Sequence, residues 1–560
     1  MSKKNTVLHL PEVPFAYPIS HNQLNIRVKI QKGVKKIILY YKNLYDHTDK
    51  INCQEMKLLL TDHSFNLYET TIQVKERHFK YYFEVYWRNK KLCYTSDGWM
   101  KNPLPQNYFY YSIINDSDIL HLPKWAEGDL IYQIWVDRFF DGNPTNNPEN
   151  VKPPYQKPDR STYYGGDFSG IVAKLPYIAS LGTGIIYLCP VFKSPSYHKY
   201  DISDYETIEA IYGGEKGLRE LVEKAHNLGI KVVLDAVFNH CSIQHPYFQD
   251  VIKNGENSPY AKWFCIESFP VDPQIGNYDT FASLVPEMPK WNTSNPEVIE
   301  YLTNICLHWT KKLQIDGWRF DVADEVSTHL WRHLRQKIKQ VFPDVLMIGE
   351  IWNQAVKWMK GDQMDTITNY KYRFWLFEFL TRKIKANDFW NQLNTNKMLY
   401  QTPVFNYLVN LIGSHDTIRS LTFLQDSKTH FLTLGFMLAS EGMPLIYYGD
   451  EIGLEGDVDP DNRRAFDWSK INSEDNYFIQ SLGMLRKTNE VLRKGKTAPL
   501  KTKEKVLAFK RIYQNQVLTV VVNYTDKPYY LKSKGKHIFG KGFVTNKSLV
   551  TLPESLAIFS

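Results

Sequence analysis

Arg319 and Asp321 stand two residues apart in Gly317-Trp318-Arg319-Phe320-Asp321-Val322-Ala323, where apolar and polar residues alternate. Read as a strand, this stretch sets a cation and a carboxylate on one face and Trp318, Phe320 and Val322 on the other. Taken alone, such a pair is as well explained by a structural salt bridge as by chemistry. Three further polar clusters close short apolar runs: Asp235-Ala236-Val237-Phe238-Asn239-His240, Gly349-Glu350-Ile351-Trp352 and Gly413-Ser414-His415-Asp416-Thr417. Each by itself is satisfied by a cap or an ion pair, but four strand ends repeating that accident is improbable. Acidic groups with an arginine and histidines suit glycosyl transfer. A retaining glycosidase sets a carboxylate nucleophile about 5–5.5 Å from a protonated carboxyl that serves as general acid. On this reading Arg319 keeps Asp321 ionised. Glu350, beside Ile351 and Trp352, is desolvated enough to hold a proton, and His415 and Asp416 grip neighbouring sugar hydroxyls. A metal-dependent hydrolase wants ligands converging from several strands; the histidines here are isolated and lack His-x-His pairing, so that chemistry ranks lower.

These clusters need a scaffold that gathers strand ends. From about 124 to 470 the pattern runs strand, loop, helix, with strands expected over 130–139, 184–192, 230–238, 317–323, 345–351, 365–369, 409–413 and 444–448. Helical spacing follows most of them, over 170–181, 215–228, 296–313, 325–341 and 428–440. Eight alternating units predict an α/β fold, a (β/α)8 TIM barrel, rather than an open doubly wound sheet. The proline-rich interval of about 240–294 predicts a lobe inserted after strand 3, beside the barrel mouth. Residues 1–122 alternate in short runs separated by turns and predict an N-terminal β-sandwich. Residues 123–475 are assigned to the barrel with its lobe. Residues 476–560 are assigned to the barrel end and a C-terminal β domain, with strands over 517–524, 529–531 and 556–559.

Composition narrows the partners. The 560 residues are 43% hydrophobic and 23% charged, too long for one core and ordinary for a globular chain. The net charge of +8 is dispersed, without a basic tract, which argues against nucleic acid. No apolar run approaches the ~18 residues of a membrane span, and the start lacks the apolar stretch of a secretory signal. Cys53, Cys93, Cys189, Cys241, Cys265 and Cys306 show no metal-ligand spacing. The expected compartment is the cytoplasm. Aromatic content is high at 14%, and aromatic faces suit sugar rings, although cores use them too.

The segments DAVFNH (235–240), GWRFDVADE (317–325), GEIW (349–352) and SHDT (414–417) resemble, in order and spacing, the four short motifs of the α-amylase family of glycoside hydrolases. The resemblance spans nearly the whole chain. It implies Asp321 as nucleophile, Glu350 as general acid/base and Asp416 as transition-state stabiliser, with Arg319, His240 and His415 around the scissile sugar and Tyr200 stacked beneath it. Met288-Pro289-Lys290-Trp291-Asn292 looks like the signature of the neopullulanase, cyclomaltodextrinase and maltogenic amylase group. Those enzymes carry an N-terminal sandwich similar to a starch-binding module, through which they often form homodimers. Asp459-Pro460-Asp461-Asn462-Arg463 resembles their substrate-contacting segment, implying Asp459 and Arg463 as ligands of the sugar.

The same group has a calcium site in the loop after the first barrel strand. Carried over by position, its ligands are Asp141, Asn143, Asn146, Asn147, the Gly165 carbonyl and Asp167, a set of hard oxygen donors suited to Ca2+. This chain has Asn where a second Asp is usual. It also departs from the group at Asp324, where Asn is usual, and at Trp291, where Leu is usual; both positions are expected near the acceptor side. The resemblance implies cleavage of α-1,4 and some α-1,6 glucosidic bonds in cyclodextrins, pullulan or short malto-oligosaccharides. A transglycosylase or glucan isomerase on the same fold is the alternative. A non-catalytic binding protein would be expected to have lost the nucleophile or the acid, and this chain keeps both.

Overall fold

The computed structural model describes residues 6–48, 50–87, 90–502 and 505–560. Two compact units divide it. The first takes residues 1–122 together with 356–362 and 387–405; the second takes 123–355, 363–386 and 406–560.

In the first unit, strands Gln23–Gln31 and Phe65–Gln73 lie at the centre of one antiparallel sheet, and Lys36–Asn43 and Phe79–Tyr86 at the centre of the other. Alternate residues of each strand turn inward, so Leu24, Ile26, Val28 and Ile30 meet Ile37, Leu39, Tyr81, Phe83 and Val85 in one buried cluster. This is the sandwich that the alternation predicts.

The second unit contains a closed barrel of eight parallel strands: β1 (Ile131–Ile134), β2 (Ile185–Leu188), β3 (Lys231–Ala236), β4 (Gly317–Phe320), β5 (Leu346–Gly349), β6 (Thr366–Asn369), β7 (Val409–Leu411) and β8 (Met443–Tyr447). The eight strands expected from sequence are these eight. Every residue of these strands but Lys231 is buried, so β2, β5 and β8 read as almost continuous apolar runs, while β4, β6 and β7 bury Arg319, Thr366, Thr368, Asn369 and Asn410 in the interior. The lobe after β3 contains a helix, Pro246–Asn254, and a hairpin of Thr280–Phe281 with Val285–Pro289. At the C-terminus, a five-stranded and a three-stranded sheet are built from residues 496–559.

Two local expectations need correcting. The alternation over 317–323 stops early: β4 ends at Phe320, and Val322 adopts a left-handed backbone with φ 43°. A β-branched residue is strained there, at about 1–3 kcal/mol, and Val322 leaves the face shared by Trp318 and Phe320. The helix expected from 325 begins instead at Thr328, because Ser327 caps it by accepting from the His329 amide and Ala323–Glu325 forms a 3-10 turn.

Candidate active site

Strand register assembles the centre. Asp235 on β3 pairs in register with Arg319 on β4, and Phe320 pairs with Gly349 on β5, so Asp321 and Glu350 emerge side by side. The Asp321 amide donates to the Ala236 carbonyl at 3.0 Å and the Glu350 amide to the Phe320 carbonyl at 2.9 Å, extending both strands by one residue. Arg319 is 2% exposed and divides its guanidinium three ways. Its Nη1 reaches Asp235 Oδ1 at 3.0 Å and Asp321 Oδ1 at 2.8 Å, and its Nη2 reaches Glu350 Oε1 at 2.8 Å. The kinked Val322 amide donates to Glu350 Oε2 at 3.0 Å. The strained turn therefore aims a backbone donor at the second carboxyl.

The division of Arg319 changes the electrostatic expectation. Burial, opposed by Arg319 and reinforced by Glu350, Asp235 and Asp416, pushes the Asp321 carboxyl well above the usual range. One cation shared by three carboxylates does not hold Asp321 ionised by itself. Asp235, named in its motif but given no role, is the carboxylate that draws Arg319 away. Glu350 is buried, as expected, but it sits in an ion pair. The Trp352 ring is stacked on Tyr370 at 3.7 Å and 6° and is 44% exposed.

The loop after β7 supplies the third acid. Burial raises the Asp416 carboxyl, but His415, Arg463 and Arg319 outweigh it and hold the group below the usual range. Asp416 Oδ2 lies 3.0 Å from His415 Nε2, and Arg463 Nη2 lies 3.3 Å from Asp416 Oδ1. Arg463 also pairs with Asp459 at 2.8 Å. Gly413 opens this loop because a Cβ there would come within 2.6 Å of Asp450 Oδ2. The Tyr200 ring lies parallel to that of His415, at 7° and 5.3 Å, and its hydroxyl donates to Asp235 Oδ2 at 3.0 Å. His240 is buried; burial lowers its pKa to about 3, leaving it neutral, and its Nε2 has no hydrogen-bond partner.

Asp321, Glu350, Asp416, Tyr200, His240, His415, Asp459 and Arg463 all line one cavity of about 430 Å3, with Arg319 beneath its floor. Sequence reasoning gave no role to His198, Phe281 or Met288, which line the wall with Val322, Asp324, Glu325 and Trp352. Met288, Val322, Asp324, Glu325 and Trp352 fall inside the quoted motifs and His198 stands two residues before Tyr200, but Phe281 lies outside them and had no signal in the sequence. The two departures separate. Asp324 lines the cavity, but Trp291 does not face the acceptor side. It is 2% exposed, stacks on Phe264 at 4.7 Å, and its amide donates to the Asn239 carbonyl, so it anchors the lobe to the end of β3.

The loop after β1 holds the expected cation ligands together. Asp141 Oδ1, Asn146 Oδ1 and Asn147 Oδ1 are buried acceptors without a hydrogen-bond partner. A Cβ at Gly165, φ 79°, would meet Asn147 Oδ1 at 2.6 Å, so only glycine admits that side chain. Asn143 Oδ1 is engaged by Thr145, and Asp167 accepts from the amides of Gly142, Asn143 and Gly170, capping the helix Phe168–Ser180.

Residues 133–490 match the model of the alpha amylase catalytic domain, and residues 1–115 that of the alpha amylase N-terminal ig-like domain. The chain is 40% identical over 534 residues to a cyclomaltodextrinase of Thermoanaerobacter pseudethanolicus, covering 94% of this chain and 93% of that protein. It is 37% identical over 529 residues to neopullulanase 2 of Thermoactinomyces vulgaris, covering 92% and 90%. A solved cyclomaltodextrinase superimposes with a TM-score of 0.92 at 32% identity, over 99% of both chains.

Proposed function

The chain belongs to the alpha-amylase family and is an α-glucan hydrolase, and we propose that it cleaves α-1,4 and some α-1,6 bonds of cyclodextrins, pullulan or short malto-oligosaccharides with retention at the anomeric carbon. The observation that carries the mechanism is the single guanidinium of Arg319 bonded to both Asp321 and Glu350. Two buried carboxylates that share one arginine repel each other, which favours a proton on one of them, and the reactive form has that proton on Glu350. Asp321 then attacks the anomeric carbon as Glu350 protonates the departing glycosidic oxygen, giving a glucosyl ester on Asp321. Glu350, now a carboxylate, takes a proton from water, which attacks the same carbon and releases Asp321. Asp416, His415 and Arg463 are placed to hold hydroxyls of the sugar as its ring flattens, and Tyr200 and His240 to bound it.

Asp321→Asn is expected to lower turnover by at least about 10^4-fold while glucan binding and thermal unfolding stay close to wild type. Glu350→Gln is expected to lose natural substrates and regain rate on aryl glucosides with activated leaving groups. Comparable turnover in Asp321→Asn overturns the assignment. Product profiling on β-cyclodextrin, pullulan, starch and maltotriose separates hydrolysis from transfer, and negligible release of reducing sugar would favour the transglycosylase alternative.

Calcium belongs to the same proposal. The orphaned oxygens of Asp141, Asn146 and Asn147 fit a hard cation, with Gly165 and Asp167 framing the loop. The ion would tie the loop after β1 to the start of the following helix and takes no part in the chemistry. Chelation is expected to lower the Tm by roughly a few degrees, reversed by Ca2+, and an unchanged Tm counts against the site. The six unpaired cysteines support a cytoplasmic location. A homodimer, expected from the subfamily resemblance, is tested by the molar mass in solution.

A further inference from the structure

Gln133 lies on β1, outside every motif, and is 1% exposed. Its Nε2 is 2.7 Å from His415 Nδ1 and 3.4 Å from Cys189 Sγ, while its Oε1 is buried with no hydrogen-bond partner. The other ring nitrogen of His415 faces two acceptors. Asp416 Oδ2 is 3.0 Å from Nε2, and the Tyr200 oxygen is 2.6 Å from it. The Tyr200 hydroxyl has two partners for one proton, Asp235 Oδ2 at 3.0 Å and His415 Nε2, whereas the ionised Asp416 can only accept. Nε2 must therefore carry a hydrogen. What remains open at His415 is Nδ1, and among the described residues the side chain hydrogen-bonded to it is the Gln133 amide, as donor. A donor facing Nδ1 requires a lone pair there, which makes the ring neutral.

We propose that Gln133 is a positioning residue that fixes His415 as the neutral Nε2–H tautomer, so that the ring presents a donor to Asp416 and to the bound sugar without adding positive charge. This rests on the reading of His415 and Asp416 as the pair that grips the sugar. The charges around the ring come from several elements: Asp416 beside it, Arg463 and Asp459 from the loop after β8, Asp235 behind Tyr200, and Arg319 on β4. Two arginines face five carboxylates in this site, Asp235, Asp321 and Glu350 at Arg319 and Asp416 and Asp459 at Arg463, so charge alone would favour an imidazolium and the neutral ring depends on the donor at Nδ1. The unpartnered Oε1 gives the device a second position. Turning the amide by half a turn sets Oε1 against Nδ1, and that arrangement is compatible only with a proton on Nδ1. No hydrogen bond to Oε1 opposes the turn, and the donor orientation is held by Cys189 Sγ, which accepts from Nε2 at 3.4 Å.

Replacing the amide by a group with acceptors alone should invert the preference. In Gln133→Glu the ring is expected to gain an Nδ1 proton, and in Gln133→Met to lose its anchor while keeping the packing volume. The measurement is 15N NMR of histidine-labelled full-length protein at rest, with His415→Asn identifying the ring. The wild type should show one protonated and one bare nitrogen at pH 7. Gln133→Glu should show both protonated, with the acidic limb of kcat/KM displaced upward by at least about one pH unit. Gln133→Met should average the two tautomers and lose about 10-fold or more in kcat/KM, as a misoriented group does. An unchanged His415 nitrogen pair in Gln133→Glu, or in Gln133→Met should the charged variant misfold, overturns the proposal. The resting-state readout needs no turnover, so its failure is distinct from a failure of the glycosidase reading, which would appear as wild-type protein inert on every glucan.

Discussion

Asp324 occupies the rim of the cavity, where the loop after Asp321 meets the lobe. Burial raises its carboxyl above the usual range, and the neighbouring Glu325 adds to the effect. Glu325 itself is paired with Lys290 of the lobe at 2.9 Å, so the rim carries two acids and one base. An ionised carboxylate can only accept hydrogen bonds from an incoming sugar, whereas an amide of the same shape can also donate. Asp324→Asn is therefore expected to raise the ratio of transfer to hydrolysis products by about 2- to 10-fold with maltose as acceptor, the worth of one hydrogen bond; an unchanged ratio removes Asp324 from the acceptor side. The site residues that could be read in advance were those whose own type and motif announce them, such as Asp321, Glu350 and His415. Those that act through a partner could not. Asp235 takes half of one Arg319 nitrogen because β3 and β4 align residue 235 with 319, and Gln133 meets His415 because β1 and the loop after β7 face the same interior. Neither pairing has a signature along the chain.

At the level of elements, a buried acid ties β1, β8 and two helices together. Glu451 follows β8, and its Oε1 accepts from Tyr132 of β1 at 2.6 Å and from Tyr177 of the helix Phe168–Ser180 at 3.0 Å. Its backbone carbonyl accepts from Asn476 of the helix Glu474–Thr488, while its Oε2 is buried without a partner. Burial raises the pKa of Glu451 from 4.5 to about 7, against the two tyrosine hydrogen bonds. The folded state therefore binds this proton more tightly than the unfolded chain. The resulting advantage is complete below about pH 4.5 and is lost as pH rises to about 7, a change of roughly 3 kcal/mol. Glu451→Gln imitates the protonated acid at every pH. It is expected to match the wild type near pH 5 and to exceed it in Tm at pH 8, and parallel Tm curves for the two proteins would exclude the linkage. Elements themselves were the most legible level, since most barrel strands are short, mainly apolar runs bounded by turn residues, although β6, Thr366–Asn369, is mostly polar. Their ends were not, because the kink at Val322 and the burial of Trp291 answer to contacts made by Glu350 and by the lobe.

The two units are not successive segments of chain, and this governs how the molecule should unfold. The first unit is completed by 356–362 and 387–405, two excursions of chain that leaves and rejoins the second unit. Within it, Arg27 donates to the carbonyls of Tyr400 at 2.5 Å and Met398 at 3.4 Å, Asn394 donates to the Thr61 carbonyl at 2.8 Å, and Met398 is buried against Phe15 and Leu67. No sequence pattern marks these residues as belonging with the sandwich; the helix Ala386–Lys397 reads like any other amphipathic stretch of the barrel region. Removing residues 1–122 would leave Met398 and its neighbours without their apolar cover and the Tyr400 carbonyl without its donor, while the flanking residues 386 and 406 remain part of the barrel chain. Loss of the sandwich thus adds a loop of unsatisfied chain to the second unit, so the two should melt together. Calorimetry is expected to give one transition, with the calorimetric and van't Hoff enthalpies in agreement. Met398→Asp buries an unpaired carboxylate in the first unit and should lower that single Tm without splitting it, by the several degrees that about 2–4 kcal/mol implies. Two resolved peaks in the wild type, or a Met398→Asp protein in which one peak moves and another stays, would mean that the excursions do not couple the units.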